Sequence, residues 1–201
     1  MFAALLILSA AWVWPLAFFA HELFFAHMVQ HLLVMNVAAL LMAVAWPAGK
    51  RRPISLPAVT AVQMAVLWIW HMPAIFAAAT HSLAMQGLMQ VSLFAVALLF
   101  WRGIFDHASA VWHRIFALLI TAKLFCLLGA AFVFSRRTLY PAFGSPEAWG
   151  LTALEDQQLA GLLMVSSCAL IYVVAAVALF GNWLFAIEPR QSVFRAAPIA
   201  R

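Results

Sequence analysis

Charge, cysteine and catalytic signatures are what this chain has least of. Only 8% of its 201 residues are charged, six of them acidic, and there are two cysteines. No CxxC, CxxCH, glycine-rich phosphate loop or nucleophile elbow is present, which argues against thiol redox chemistry, covalent c-type haem, nucleotide use and serine hydrolysis. Scarce carboxylates leave no clustered oxygens of the kind magnesium or calcium requires. No segment alternates like a barrel strand. What remains is grease: 68% of residues are hydrophobic, and several apolar runs approach or exceed the ~18 residues that mark a spanning helix. The chain reads as an all-α polytopic transmembrane helical bundle with the lipid bilayer as its solvent, a single domain over residues 1–201, with no substantial extramembrane part.

Six spans are expected: Phe2 to Ala20, Leu23 to Trp46, Ile54 to Ala79, Leu83 to Trp101, Val111 to Phe134 and Leu159 to Phe180. Helices follow because backbone groups in hydrocarbon must be satisfied within their own segment. The first run is expected to be a retained helix, since it lacks a basic leader and Phe18 breaks a small-x-small pattern before Ala20. Pro73, just after His71 and Met72, predicts a kink that opens backbone beside the histidine. Lys50, Arg51, Arg52, Arg102, Arg114, Arg190, Arg195 and Arg201 fall on one side of a six-span bundle. The positive-inside rule makes that side cytoplasmic, with both termini inside. The net charge of +5 is thereby a topology signal, and no nucleic-acid partner is expected.

This orientation gathers polar residues toward the outer face. His21, His27 and His31 lie in the outer half of the second span, His71 near the outer end of the third, His81 at the outer start of the fourth, and Asp156 with Gln157 before the sixth. Residues four apart share a helix face, so His27, His31 and Met35 form one stripe and His81, Met85 and Met89 another. Imidazole with thioether suits copper, the thioether favouring the cuprous ion. The metal candidates are therefore His27, His31, His71, His81, Asp156, Met35 and Met85, with Asp156 either orienting an imidazole or ligating directly. The bland alternatives are methionine as core filler and histidine hydrogen-bonded to a neighbouring helix. His21, His107 and His113 read as solvated or interfacial. Lys123, near the middle of the fifth span, should face the bundle or pair with something, because a cation there costs about 2.5–3.5 kcal/mol. Cys126 and Cys168 read as inert buried thiols.

The runs His27-Met28-Val29-Gln30-His31-Leu32-Leu33-Val34-Met35, Trp68-Ile69-Trp70-His71-Met72-Pro73, Tyr140-Pro141 and Asp156-Gln157-Gln158-Leu159-Ala160-Gly161-Leu162-Leu163-Met164 together resemble the polytopic CtaG family of cytochrome c oxidase assembly factors. The resemblance runs from about Phe25 to Gly181. It implies a role in maturing a haem-copper terminal oxidase, commonly explained as copper handling, with His27, His31, His71, Asp156 and Gln157 at the matching positions. Where the family tends to place another histidine early in the fourth span, this chain has Gln86 and Gln90, with His81 and Met85 nearby, which implies a softer, methionine-richer site. Ala38-Ala39-Leu40 replaces a proline that often follows the second span's polar block.

The expected function is an assembly factor of the bacterial inner membrane, multi-pass, which holds copper at its periplasmic face and passes it to an apo-oxidase. Its expected partners are the cytochrome c oxidase subunits and a periplasmic copper chaperone. No constellation for turnover is visible, so an enzyme is not expected. Two other classes stay open. One is a bis-histidine b-type haem electron carrier; the other is a metal-free membrane scaffold for oxidase subunits.

Overall fold

The computed structural model describes residues 1–13, 15–45, 55–106, 108–140 and 143–196, the side chains of 187–196 excepted. Among the described residues every regular element is helical. Four helices are long and apolar enough to cross a bilayer, and two broken pairs bring the number of candidate spans to six.

The first broken pair is α1 (Phe2–Trp12) and α2 (Leu16–Glu22). The second span runs from Phe24 to Ala45 as α3 (Phe24–Leu32), a π-helical stretch (Leu33–Ala38) and α4 (Ala39–Ala45). In the π stretch the Ala39 N–H bonds to the Val34 carbonyl instead of the Met35 carbonyl it would reach in an α-helix. The Trp101 indole donates to that Met35 carbonyl at 3.0 Å from the fourth span. The irregularity thus costs no buried hydrogen bond and fixes the two spans in register.

The expected kink is present. The third span divides into α5 (Leu56–Trp70) and α6 (Pro73–Thr80), bent by 71° at His71 and Met72. Pro73 occupies the first helical position of α6, where its missing N–H costs nothing. α7 (Leu83–Phe105) starts on a Ser82 side-chain cap and ends four residues beyond the expected Trp101. α8 (Val111–Phe134) has the expected bounds.

α9 (Ala153–Ala196) begins six residues before the expected Leu159. The reason is local: Thr152 and Glu155 form a reciprocal cap, Glu155 N–H donating to Thr152 Oγ1 at 3.2 Å and Thr152 N–H to Glu155 Oε2 at 2.8 Å. Of the basic residues used to orient the chain, Lys50, Arg51, Arg52 and Arg201 lie outside the described residues, as do Trp46, Ile54, His107 and Pro141 and the side chains of Arg190 and Arg195. Arg114 belongs to the helix rather than the loop: it is buried in the first turns of α8 and donates to the Ile104 carbonyl at the end of α7.

α8 and α9 pack closest. A Cβ on Gly129 would lie 2.9 Å from the Gly161 carbonyl oxygen, and one on Gly161 would lie 2.5 Å from that of Gly129. Small residues here let the backbones touch, the usual means of holding helices together where lipid is as apolar as leucine. Lys123 does not turn inward as expected; it is exposed on α8 and has no hydrogen-bond or ion-pair partner among the described residues.

Candidate metal centre

The four sequence blocks meet at one end of the bundle, and α3 carries the centre of the meeting. His27 and His31, one turn apart and 2% and 4% exposed, place their Nε2 atoms 2.8 Å apart. That distance is a hydrogen bond, so one ring donates and the other accepts. His71 approaches from the kink, its ring centroid 5.9 Å from that of His31. Phe24, Phe76, Phe132, Tyr140 and Phe143 form an aromatic shell around the three rings.

The tautomer of His71 follows from its partner. Its Nδ1 lies 2.7 Å from the Leu67 carbonyl, which only accepts, so Nδ1 carries the hydrogen and Nε2 presents a bare lone pair. That Nε2 is buried with no partner, as are Nδ1 of His27 and Nδ1 of His31. An unmatched buried polar atom costs about 1–3 kcal/mol, a cost that Gln63, Gln90, Arg114 and Thr121 share elsewhere in the bundle.

The rest of the motif residues hold this cluster in place. Asp156 is 2% exposed, and its two oxygens accept the first two amides of α3, Phe24 N–H at 2.7 Å and Phe25 N–H at 2.9 Å. It is a helix cap delivered from another span, placing a negative charge where the α3 dipole is positive. It holds the helix that carries His27 and His31 and makes no hydrogen bond to either ring. Gln157 clasps the end of α8 in the same way: Oε1 accepts Leu139 N–H at 2.6 Å, and Nε2 donates to the carbonyls of Phe132 and Arg137. The backbone opened by the Pro73 kink is closed by Tyr140, whose hydroxyl donates to the His71 carbonyl at 2.7 Å. Burial pushes the Tyr140 hydroxyl above its ordinary pKa, which keeps it a donor.

Gly144 seats the loop over α3. Its φ is +64°, and a Cβ there would collide with the Glu22 carbonyl. The same carbonyl accepts Ser145 N–H at 3.0 Å. Beside this loop lies a cavity of about 130 Å³ lined by His21, His27, His81, Gln86, Met89 and Phe143, among others. His27 therefore connects the buried rings to a vestibule, and His81 and His21, both exposed, stand at its mouth.

The candidate residues thus fall into distinct places. His27, His31 and His71 come together, His81 joins them only through the vestibule, and Asp156 binds backbone. Met85 packs against the hydrophobic core, and Met35 is a buried core side chain below the rings. Met89, the next methionine on the fourth-span stripe, lines the vestibule in place of Met85. Among the described residues no three His, Cys, Asp or Glu side chains are already grouped to hold a metal ion. The pairing of Gln30 with Gln90 carries no signal in the sequence. Gln90 donates to Gln30 at 2.8 Å, and Gln30 donates to the Ala11 carbonyl at 2.7 Å, tying the first, second and fourth spans together one residue before His31.

Neither a curated protein nor a solved structure matches the chain. A family model does, over residues 1–185, taking in both broken spans, the histidine cluster and the Asp156–Gln157 clasp. The chain belongs to the cytochrome c oxidase caa3 assembly factor family, Caa3_CtaG.

Proposed function

We propose that this assembly factor carries out its role by holding a cuprous ion, as cargo, on His27, His31 and His71 and releasing it to an apo-oxidase. The observation that carries the reading is the bare, buried and unpartnered Nε2 of His71, oriented by its Nδ1 hydrogen bond to Leu67, on a ring whose centroid lies 5.9 Å from that of His31. An imidazole fixed by its second nitrogen is what a metal-ligating histidine presents. At metal–imidazole bonds of about 2.0–2.1 Å, two nitrogens 2.8 Å apart would subtend only roughly 85–90° at a shared ion, so the pair opens on loading. Opening replaces a hydrogen bond with two metal bonds, and closing restores it. The closed pair therefore favours release, which suits a carrier. In this reading His81, His21 and Met89 line the route in, and Asp156 keeps α3 in position.

The loop charges support a placement in a bacterial inner membrane with both termini cytoplasmic and the histidine end periplasmic, where a copper chaperone would meet it. The chain is read as one domain acting without turnover of its own, since the cluster contains orienting and ligating groups but no nucleophile.

Anaerobic titration of the purified protein in detergent with cuprous ion, against a chromophoric cuprous chelator, tests this. About one equivalent should bind; His71→Ala should weaken binding, and His27→Ala with His31→Ala should abolish it. Full occupancy in the double variant would remove the assignment. One observation favours a second reading: His27 and His31 already satisfy each other through Nε2, as they would in a metal-free scaffold. A wild-type protein that stays empty in the same titration selects that reading. The haem alternative gains nothing at His27 itself, where the cavity of about 130 Å³ falls short of the roughly 300–1,000 Å³ of small-molecule sites.

A further inference from the structure

Lys123 is the thirteenth of the 24 residues of α8. At 1.5 Å per residue it stands about 18 Å from one end of the helix and about 16 Å from the other, near the middle of a hydrocarbon layer of about 30 Å. At 100° per residue it points directly away from the buried side of α8, where Thr121, Phe125 and Phe132 pack. Around it on the same outward stripe are Trp112, Phe116, Leu119, Leu127 and Phe134, all exposed. Trp112, at one end, packs against Phe180 and Trp183 of α9, so the open part is a lipid-facing apolar stripe from Phe116 to Phe134, about five helical turns long, with one unpaired cation near its centre.

Two ordinary accounts fit poorly. The stripe is too deep for comfortable snorkelling, which serves lysines near helix ends. A second copy packed symmetrically about an axis along the membrane normal would set Lys123 against Lys123 at the same depth, where like charges repel with little screening. The charge complementarity instead selects a partner of opposite sign. We propose that the outward face of α8 is a docking surface for a transmembrane helix of another protein that carries an aspartate or glutamate at mid-depth. Lys123 and that carboxylate neutralise each other, and Phe116 and Leu127 pack one turn or two to either side. Free in lipid, each bears the cost of its charge; paired, both are relieved, so the ion pair supplies affinity and depth register together. This surface lies away from the histidine cluster and does not depend on what that cluster binds.

The test is energy transfer in phosphatidylcholine vesicles, which hold no anionic lipid, between the labelled full-length protein and a synthetic leucine–alanine spanning peptide with one central aspartate. Association is expected for the wild type and for Lys123→Arg. It should fall by roughly threefold to thirtyfold, the range of polar pairs between helices in bilayers, for the central-asparagine peptide and for Lys123→Leu. Removing a mid-bilayer charge should leave the fold intact, and unchanged helical circular dichroism checks that. A control moves the charge to the next helix. Ser166 is exposed on α9 and, given the Gly129–Gly161 contact, lies about level with residue 124; Lys123→Leu with Ser166→Lys should not recover the loss. Four results overturn the proposal: equal transfer to charged and uncharged peptides, no transfer to any, recovery by the moved lysine, or transfer between two copies of this chain that the peptide cannot compete away.

Discussion

Replacing Asp156 by asparagine separates a cap from a ligand. The carboxylate accepts the amides of Phe24 and Phe25 at 2.7 and 2.9 Å while 2% exposed. Asparagine keeps one acceptor and turns an NH₂ toward the other amide, so one bond is lost and a buried N–H faces a donor. Hydrogen bonds to a charged group are worth about 1.5–3 kcal/mol, and the charge at a helix N-terminus adds about 0.3–2 kcal/mol. Losing one bond and the charge gives roughly 2–4 kcal/mol for Asp156→Asn, and losing both bonds and the charge gives about 3–8 kcal/mol for Asp156→Ala, where both amides are orphaned. The assay is hydrogen exchange of the segment containing Phe24 and Phe25 in detergent, with cuprous titration on the same samples. If α3 opens locally, exchange at these amides should rise by about 30-fold to 1,000-fold in Asp156→Asn, and copper affinity should fall because His27 and His31 move with the helix. Unchanged protection at Phe24 and Phe25 together with lost copper would refute the reasoning and make the carboxylate a direct ligand.

Other consequences follow from the same contacts. Gly161→Ala should destabilise the protein by about 1–3 kcal/mol through forced separation of α8 and α9, and by more than Gly129→Ala, while Gly87→Ala and Gly181→Ala, where nothing lies within 4 Å of the new methyl, should leave the melting temperature unchanged or raised. Trp101→Phe strips the Met35 carbonyl of its indole donor and should cost about 1–3 kcal/mol, read as a lower melting temperature with copper stoichiometry retained. Tyr140→Phe removes the donor to the His71 carbonyl and should weaken copper binding severalfold without abolishing it. Tyr140 also has a signed pH dependence. Its folded pKa is raised by burial above the ordinary value of about 10. The stability it contributes is therefore fully present below about pH 10 and declines as pH rises past that value. The difference in stability between wild type and Tyr140→Phe should shrink over that interval, and a difference that grows with pH would contradict the assignment.

What is legible in the sequence is what hydrocarbon forces on a chain locally. Helices follow from length and apolarity, and the 71° bend follows from Pro73. The convergence of His27, His31 and His71 follows from their depth in the second and third spans. The partners of Asp156 are not legible. They lie 132 and 131 positions away in the chain, and a carboxylate beside a cluster of histidines reads as coordination chemistry unless the fold shows which backbone it meets. The π stretch is equally hidden, since its compensating donor, Trp101, comes from another span. Lys123 escapes the sequence for a different reason. A helix in lipid is apolar on all sides, so its sequence carries little amphipathic contrast to say which side is buried, and the rule that charges turn inward then places this one on the wrong face.

These differences sharpen what the shared sequence blocks mean. Histidine blocks suggest chemistry, and the Asp–Gln block suggests more of the same. The geometry gives them separate roles. The His31 ring lies beside those of His27 and His71, and each of the three keeps one unsatisfied nitrogen, while Asp156, Gln157 and Tyr140 spend their polar atoms on backbone at the first turn of α3, the end of α8 and the kink at His71. In water such clasps would be worth little, because solvent competes for each amide and carbonyl. Inside a bilayer there is no competing solvent, so an unpaired backbone group is costly, and a site made from two irregular helices and a loop needs a dedicated side chain for every group those irregularities expose. The polar residues of the motif outside the histidines are thus a consequence of the break in α5–α6 and the start of α3. Those breaks, in turn, are what bring His71 beside His31.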